Sequence, residues 1–260
     1  MRAMIWDVGR KVQPDLRIFP DQAELAAAAA AEVAARLVVA AAHGPATLVL
    51  AGGSTPRALY ACLAAAHGVQ VPWERVDVFW GDERAVPLDD PRSNYRMARE
   101  ALLDAIPIPR HRVHPIDACA GVAPDAEDAA VAYEHELRAH FPPPARRPVF
   151  DLVLLGLGED GHTASLFPNA PTLPDGSRWV LPAQAPPGVE PRERVTLTLP
   201  ALTAARAIFV VVAGPAKAAP LRRALAEAPS PACPASLLRT GRAPVTWWAD
   251  LAAAGELAGS

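Results

Sequence analysis

Cysteine is scarce in this chain, and what there is forms no motif. The 260 residues hold three, Cys62, Cys119 and Cys233, far apart and with no CxxC pair. That argues against a disulfide framework or a cysteine zinc site and suits a reducing cytoplasm. Aromatic residues are few, at 6% against 51% hydrophobic residues overall, and alanine is abundant, which points to helix-rich packing around a sizeable core. Neither sign of charge dominates. A net charge of −3 gives no footprint for nucleic acid or an anionic membrane, so an anionic ligand needs a local basic pocket. There is no apolar signal core; Arg2, Asp7, Arg10 and Lys11 break up the N-terminus. The alanine-rich run 23–42 carries Glu24, Glu32 and Arg36 and reads as an ordinary helix rather than a membrane span. A Walker lysine loop and a G-x-S-x-G turn are both missing, which leaves a nucleophilic serine without support.

What is present is alternation of strand and helix. Asp21, with Glu24 three positions on, starts a helix over 22–42 that ends at Gly44-Pro45. Strands are expected at 47–51, 76–80, 150–155 and 207–212, with helices at 57–66, 94–105, 125–140 and 216–226. Further strands are read at 179–181 and 245–248, with an edge strand at 16–19 and a weak strand at 112–116. The segment 194–199 alternates polar and apolar residues, so one of its faces is expected to be wet. No repeat stands out, and the 29 prolines are spread through loops. The expected fold is therefore one doubly wound α/β domain over 1–260, with a mostly parallel sheet and helices on both faces.

Four turns leave apolar strands, and parallel strands would open all four on one edge of the sheet. The most informative follows 150–155. Its glycines, Gly156, Gly158 and Gly161, turn the chain outward and deliver Asp160 and His162 beyond a central strand. A histidine two residues from a carboxylate can take a proton near neutral pH. Gly52, Gly53, Ser54 and Thr55 precede a helix, where backbone N–H groups, two hydroxyls and the helix amino end favour an anion. Pro56 suits a first helical turn. Arg84 can clamp a phosphate, with Asp82 or Glu83 orienting it, and Lys217 can add a second positive charge. Each of these three has a plainer reading as a hydroxyl cap, a solvated ion network or a surface lysine. The run 156–161 also matches the dinucleotide pattern G-x-G-x-x-G, but Pro168, Pro171 and Pro174 interrupt the helix it should open. His111 and His114 have no credible third ligand nearby and read as loop residues, so no metal is inferred.

Taken together, four segments resemble the 6-phosphogluconolactonase family, within the superfamily that also holds glucosamine-6-phosphate deaminase. They are Leu50-Ala51-Gly52-Gly53-Ser54-Thr55-Pro56, Gly81-Asp82-Glu83-Arg84 with Ser93-Asn94-Tyr95, the stretch from Gly156 through Gly161-His162-Thr163 to Pro168, and Val212 to Lys217. The resemblance implies a one-domain α/β enzyme of the cytoplasm. It implies hydrolysis of 6-phospho-D-glucono-1,5-lactone to 6-phosphogluconate in the oxidative pentose phosphate pathway, with no cofactor or metal. Its partner would be the small sugar-phosphate lactone, with no nucleic acid, membrane or obligate protein partner inferred. By resemblance His162 is the general base with Asp160 beside it. Ser54, Thr55, Arg84 and Lys217 hold the 6-phosphate, among Gly52, Gly53, Asp82 and Gly161, and Asn94 lies near the sugar. Amides of the glycine turns are candidates to stabilise the oxyanion. Two alternatives remain, a deaminase and a sugar-phosphate sensor. The deaminase pattern has a glutamate where this chain has Phe167 and a tyrosine where it has Arg84. Sensors of this kind carry a DNA-binding helix-turn-helix, which the first 45 residues do not offer.

Overall fold

Apolar runs that end in glycine become the interior strands of a parallel sheet. The computed structural model describes residues 15–119, 125–255 and 257, so Arg2, Asp7, Arg10 and Lys11 lie outside the described residues. β1 is Asp15–Phe19, and Asp21 then caps α1, Gln22–His43, accepting from the N–H groups of Ala23 and Glu24 at 2.9 Å each. β2 (Ala46–Leu50), α2 (Ser54–His67), β3 (Val76–Trp80), β4 (Asp82–Arg84), α3 (Asn94–Ala101), β5 (Val113–His114) and α4 (Ala126–His140) follow. The second half holds β6 (Leu152–Leu155), β7 (Val180–Gln184), β8 (Glu193–Leu197), α5 (Leu199–Leu202), β9 (Ile208–Val212), α6 (Ala218–Ala226), β10 (Val245–Asp250) and α7 (Leu251–Ala254).

Seven strands form one wholly parallel sheet in the order β1-β10-β9-β6-β2-β3-β5. Every residue of β2, β3, β6 and β9 is buried, as a sheet covered on both faces requires. β1 and β5 are the edges. The chain runs outward one way through β2, β3 and β5, then returns to β6 and runs the other way through β9 and β10. The order therefore reverses between β2 and β6, the position at which open α/β sheets take ligands at their carboxyl ends.

α1 is long and apolar enough to cross a membrane, the one such helix among the described residues. Its inner face (Leu25, Ala29, Val33, Leu37) is nevertheless fully buried in the core, and Glu32 and Arg36 pair at 3.0 Å on the outside. It is a layer of the α/β stack.

Three expectations need correction. The segment Asp82–Arg84 is a strand and not a free loop: β4, β8 and β7 form a second, antiparallel sheet of three strands. The polar positions of the segment 194–199 also do not face water. Arg194, Thr196 and Thr198 are all buried, because that face turns toward the segment after β6, where Thr196 Oγ1 accepts the Ser165 N–H at 3.3 Å. Glu134 of α4 joins the layers by accepting the N–H groups of Trp179 and Val180 at 3.0 and 3.3 Å. His114 likewise is no loop residue, since it ends β5 beside Phe79 of β3.

Candidate active site

The site grows from the switch point between β2 and β6. A methyl group added at Gly156 would lie 3.8 Å from the Gly52 carbonyl oxygen, so the two turns meet across the switch point. The 156–162 turn is closed on itself. Gly158 N–H donates to the His162 carbonyl at 2.8 Å, Gly161 N–H to that of Gly158 at 3.0 Å, and Thr163 Oγ1 to that of Gly156 at 2.9 Å. This fold-back lays the His162 ring over Gly158. A Cβ at 158 would stand 2.1 Å from Nδ1 and 2.3 Å from Cε1, so only glycine fits. Behind the turn, Ala235 N–H donates to the Gly161 carbonyl at 3.0 Å.

Asp160 fixes the ring. Its Oδ1 accepts the His162 backbone N–H at 2.9 Å and faces Nδ1 at 2.6 Å. Burial alone would raise the Asp160 carboxyl, but the side-chain and backbone hydrogen bonds from His162 outweigh it and hold it below the ordinary range. An ionised Asp160 draws the ring proton to Nδ1 and leaves Nε2 as the bare acceptor. No described residue hydrogen-bonds Nε2, and the side chain is 33% exposed, enough for a reactant to reach it. Phe167 packs against the ring with centroids 4.9 Å apart.

Glu83 builds the neighbouring wall. It accepts the N–H groups of Arg84, Asn94 and Tyr95 at 2.7 Å each and the Ser93 hydroxyl at 3.0 Å. Burial outweighs those donors and pushes its carboxyl up to about 7. Asp82 accepts from Ser165 Oγ at 2.7 Å, and Asn94 Nδ2 donates to the Asp82 carbonyl at 2.9 Å. Asn94 is itself buried against Gly52, where an added Cβ would fall 1.9 Å from its Oδ1. Asn94 thus locks the turn after β2 to the strand after β3. Neither Asp82 nor Glu83 orients the Arg84 guanidinium, contrary to expectation. They are occupied with the backbone and hydroxyls, and Arg84 instead donates to the Arg92 carbonyl.

The basic groups gather on this same edge. Gly53, with φ +108°, caps α2 without a side-chain bond, so Ser54 and Thr55 sit in the first turn and their N–H groups have no intrahelical acceptor. Ser54 is exposed and Thr55 buried. Lys217, one of only two lysines in the chain, lies in the turn after β9 and reaches Glu159 at 3.9 Å, which places it beside the His162 turn. Within the antiparallel sheet Arg84 stands opposite Arg194, a residue that sequence reasoning missed. Neither has a carboxylate within salt-bridge distance among the described residues, and the Arg84 Nε is buried without a partner. Burial, and next the charge of Arg84, pulls the Arg194 guanidinium below its ordinary pKa. Two facing cations that lack a counter-ion suit an anion. An arginine in phase with Thr196 and Thr198 was the available signal, but alternation alone does not tell a wet face from a ligand-facing one.

The amides of the 156–162 turn are mostly engaged. Gly158, Gly161 and His162 all donate within the turn, which removes them as free oxyanion donors in this arrangement.

Comparison with known proteins identifies the family. Residues 20–247 match the family model for glucosamine-6-phosphate isomerases/6-phosphogluconolactonase. The chain is 41% identical over 244 residues to 6-phosphogluconolactonase of Mycobacterium tuberculosis, covering 93% of this chain and 98% of that one. It is also similar to the solved structure of 6-phosphogluconolactonase from Trypanosoma cruzi, with 33% identity, a TM-score of 0.84 and coverage of 96% and 99%. A solved monomeric glucosamine-6-phosphate deaminase matches with a TM-score of 0.79 at 22% identity over 93% of this chain and 99% of that one, a likeness of fold alone.

Proposed function

The chain belongs to the glucosamine-6-phosphate isomerase/6-phosphogluconolactonase family, and from that premise we propose how its site carries out the chemistry. The activity is that of a 6-phosphogluconolactonase, hydrolysing the sugar-phosphate lactone to 6-phospho-D-gluconate in the pentose phosphate pathway. His162 is the general base. Its Nε2 takes a proton from water as the water oxygen bonds to the lactone C1, and the carbonyl becomes an oxyanion. The bond from C1 to the ring oxygen then breaks, and His162 returns the proton to that oxygen. Asp160 stays ionised throughout and stabilises the imidazolium between the two steps.

The 6-phosphate is held by the amino end of α2 with Ser54 and Thr55, and by Arg84, Arg194 and Lys217. Pinning the dianion there fixes C1 against Nε2, an orientation effect of several kcal/mol, order of magnitude. Gly52, Gly53 and Gly161 bring the backbone close, while Asp82 and Asn94 hold the walls in register. The bond of 2.6 Å between Asp160 and the His162 ring supports this assignment, because it occupies Nδ1 and leaves Nε2 as the free lone pair. A reducing cytoplasm suits the three free thiols.

The test is lactone hydrolysis measured above the spontaneous rate, set beside ammonia release from glucosamine 6-phosphate. Enzymatic turnover of the lactone with no ammonia is the expected outcome. Ammonia release without lactone turnover would reverse the reading.

A further inference from the structure

Three residues from separate segments converge at the other end of β3, outside the lactone site. Asp77 is the second residue of β3, His114 ends β5 and His140 ends α4. One donor atom from each lies within 4.8 Å of the others. Asp77 Oδ1 is 3.3 Å from His114 Nε2, and Asp77 Oδ2 is 3.9 Å from His140 Nε2. A tetrahedral zinc with bonds near 2.0–2.1 Å sets its ligand atoms about 3.3 Å apart, so the first pair is already at that spacing and the second needs a small closure.

The surroundings order the three side chains. His114 Nδ1 is bonded to Glu136 Oε1 at 2.7 Å, which turns Nε2 inward, the arrangement in which an outer carboxylate orients a metal-bound imidazole. Phe79 fixes both rings, stacking on His114 at 4.5 Å and meeting His140 edge-on at 5.0 Å. Arg112 donates to Asp77 Oδ2 at 2.9 Å, and Asp77 Oδ1 shares a hydrogen bond of 3.3 Å with His114 Nε2, a contact that an ion between the two atoms would replace. The side chains of Asp77, His114 and His140 are 5, 16 and 25% exposed, sheltered but open to an ion from solvent. Two imidazoles and one carboxylate suit zinc-class ions and disfavour calcium or magnesium, which take oxygen ligands.

We propose that Asp77, His114 and His140 form a binding site for a divalent transition ion of the zinc class, completed by water. Such an ion ties the short edge strand β5 and the end of α4 to β3. It takes no part in lactone chemistry, which lies past the opposite end of that strand.

The experiment uses full-length protein stripped with a chelator and titrated with Co2+ followed by visible absorption and with Zn2+ by calorimetry. One ion per chain is expected, with a cobalt spectrum of nitrogen and oxygen ligation. His114→Ala and His140→Ala should each weaken binding tenfold or more, and Glu136→Gln by about 10- to 100-fold. His162→Ala should bind as the unaltered protein does, which separates this site from the imidazole–carboxylate pair of the lactone site. Lactone turnover should be unchanged by chelation and by His140→Ala. Should His114→Ala fail to fold, the half-buried Glu136 and the helix-end His140 keep the test intact. Absence of stoichiometric Co2+ or Zn2+ binding, or binding that survives His140→Ala, would overturn the proposal and leave the cluster as an ion-pair network.

Discussion

Gly158→Ala examines the geometry of the base without touching either of its chemical groups. The added Cβ would sit 2.1 Å from His162 Nδ1 and 2.7 Å from Asp160 Oδ1, whereas ordinary contact begins near 3.4 Å. The difference, 3.4 less 2.1, means that ring or backbone must give by about 1.3 Å. The Nδ1···Oδ1 bond is 2.6 Å long, so a shift of that size breaks it or swings Nε2 off its line to C1. A misplacement near 1 Å costs on the order of 100-fold in rate. The assay is kcat for lactone hydrolysis with the spontaneous rate subtracted, beside thermal melting to establish that the variant folds. Gly156→Ala is the control, since its Cβ would meet only the Gly52 carbonyl oxygen at 3.8 Å. A folded Gly158→Ala with full kcat would show that ring placement over residue 158 is not what turnover needs.

Binding and stability give further tests. Arg84→Ala, Arg194→Ala and Lys217→Ala should each raise KM, by roughly 1.5–3 kcal/mol of lost charged hydrogen bond, with a smaller effect on kcat; an unchanged KM in all three removes them from the phosphate site. Glu83 should make stability depend on pH. Its folded pKa is raised to about 7 from an ordinary 4.5, so its contribution is fully present below 4.5 and is lost as pH rises through about 7. Melting temperature should therefore fall between pH 5 and pH 7 by more in the parent protein than in Glu83→Gln; equal slopes would contradict the assignment.

How much of this was legible in the sequence depended on whether the signal was local. β2, β3, β6 and β9 were readable because each is an apolar run between helices, and their parallel pairing then fixed which edge carries the turns. The Asp160–His162 pair was readable for the same reason, because both residues belong to one turn. β4 was not. Asp82–Arg84 is a strand only because β8 lies alongside, and three charged residues carry no apolar pattern to announce it. Arg194 was misjudged because period-two alternation gives the face and not what covers it. The role of Glu83 was half seen: its charge suggested a partner for Arg84, but its burial commits it to four donors from 84 and 93–95. Asp77 and His140 joined His114 only through tertiary packing, across 37 and 26 residues of chain that no spacing rule connects.

The most direct measurement on the central claim is His162→Ala, read by two instruments at once: corrected lactone turnover, and equilibrium binding of 6-phosphogluconate. A general base contributes about 100- to 10,000-fold, so kcat should fall by that much while the product's dissociation constant barely moves, since the cations and the α2 amino end remain. Turnover at the parent rate would show that another group takes the proton from water, and the assignment of His162 would fail.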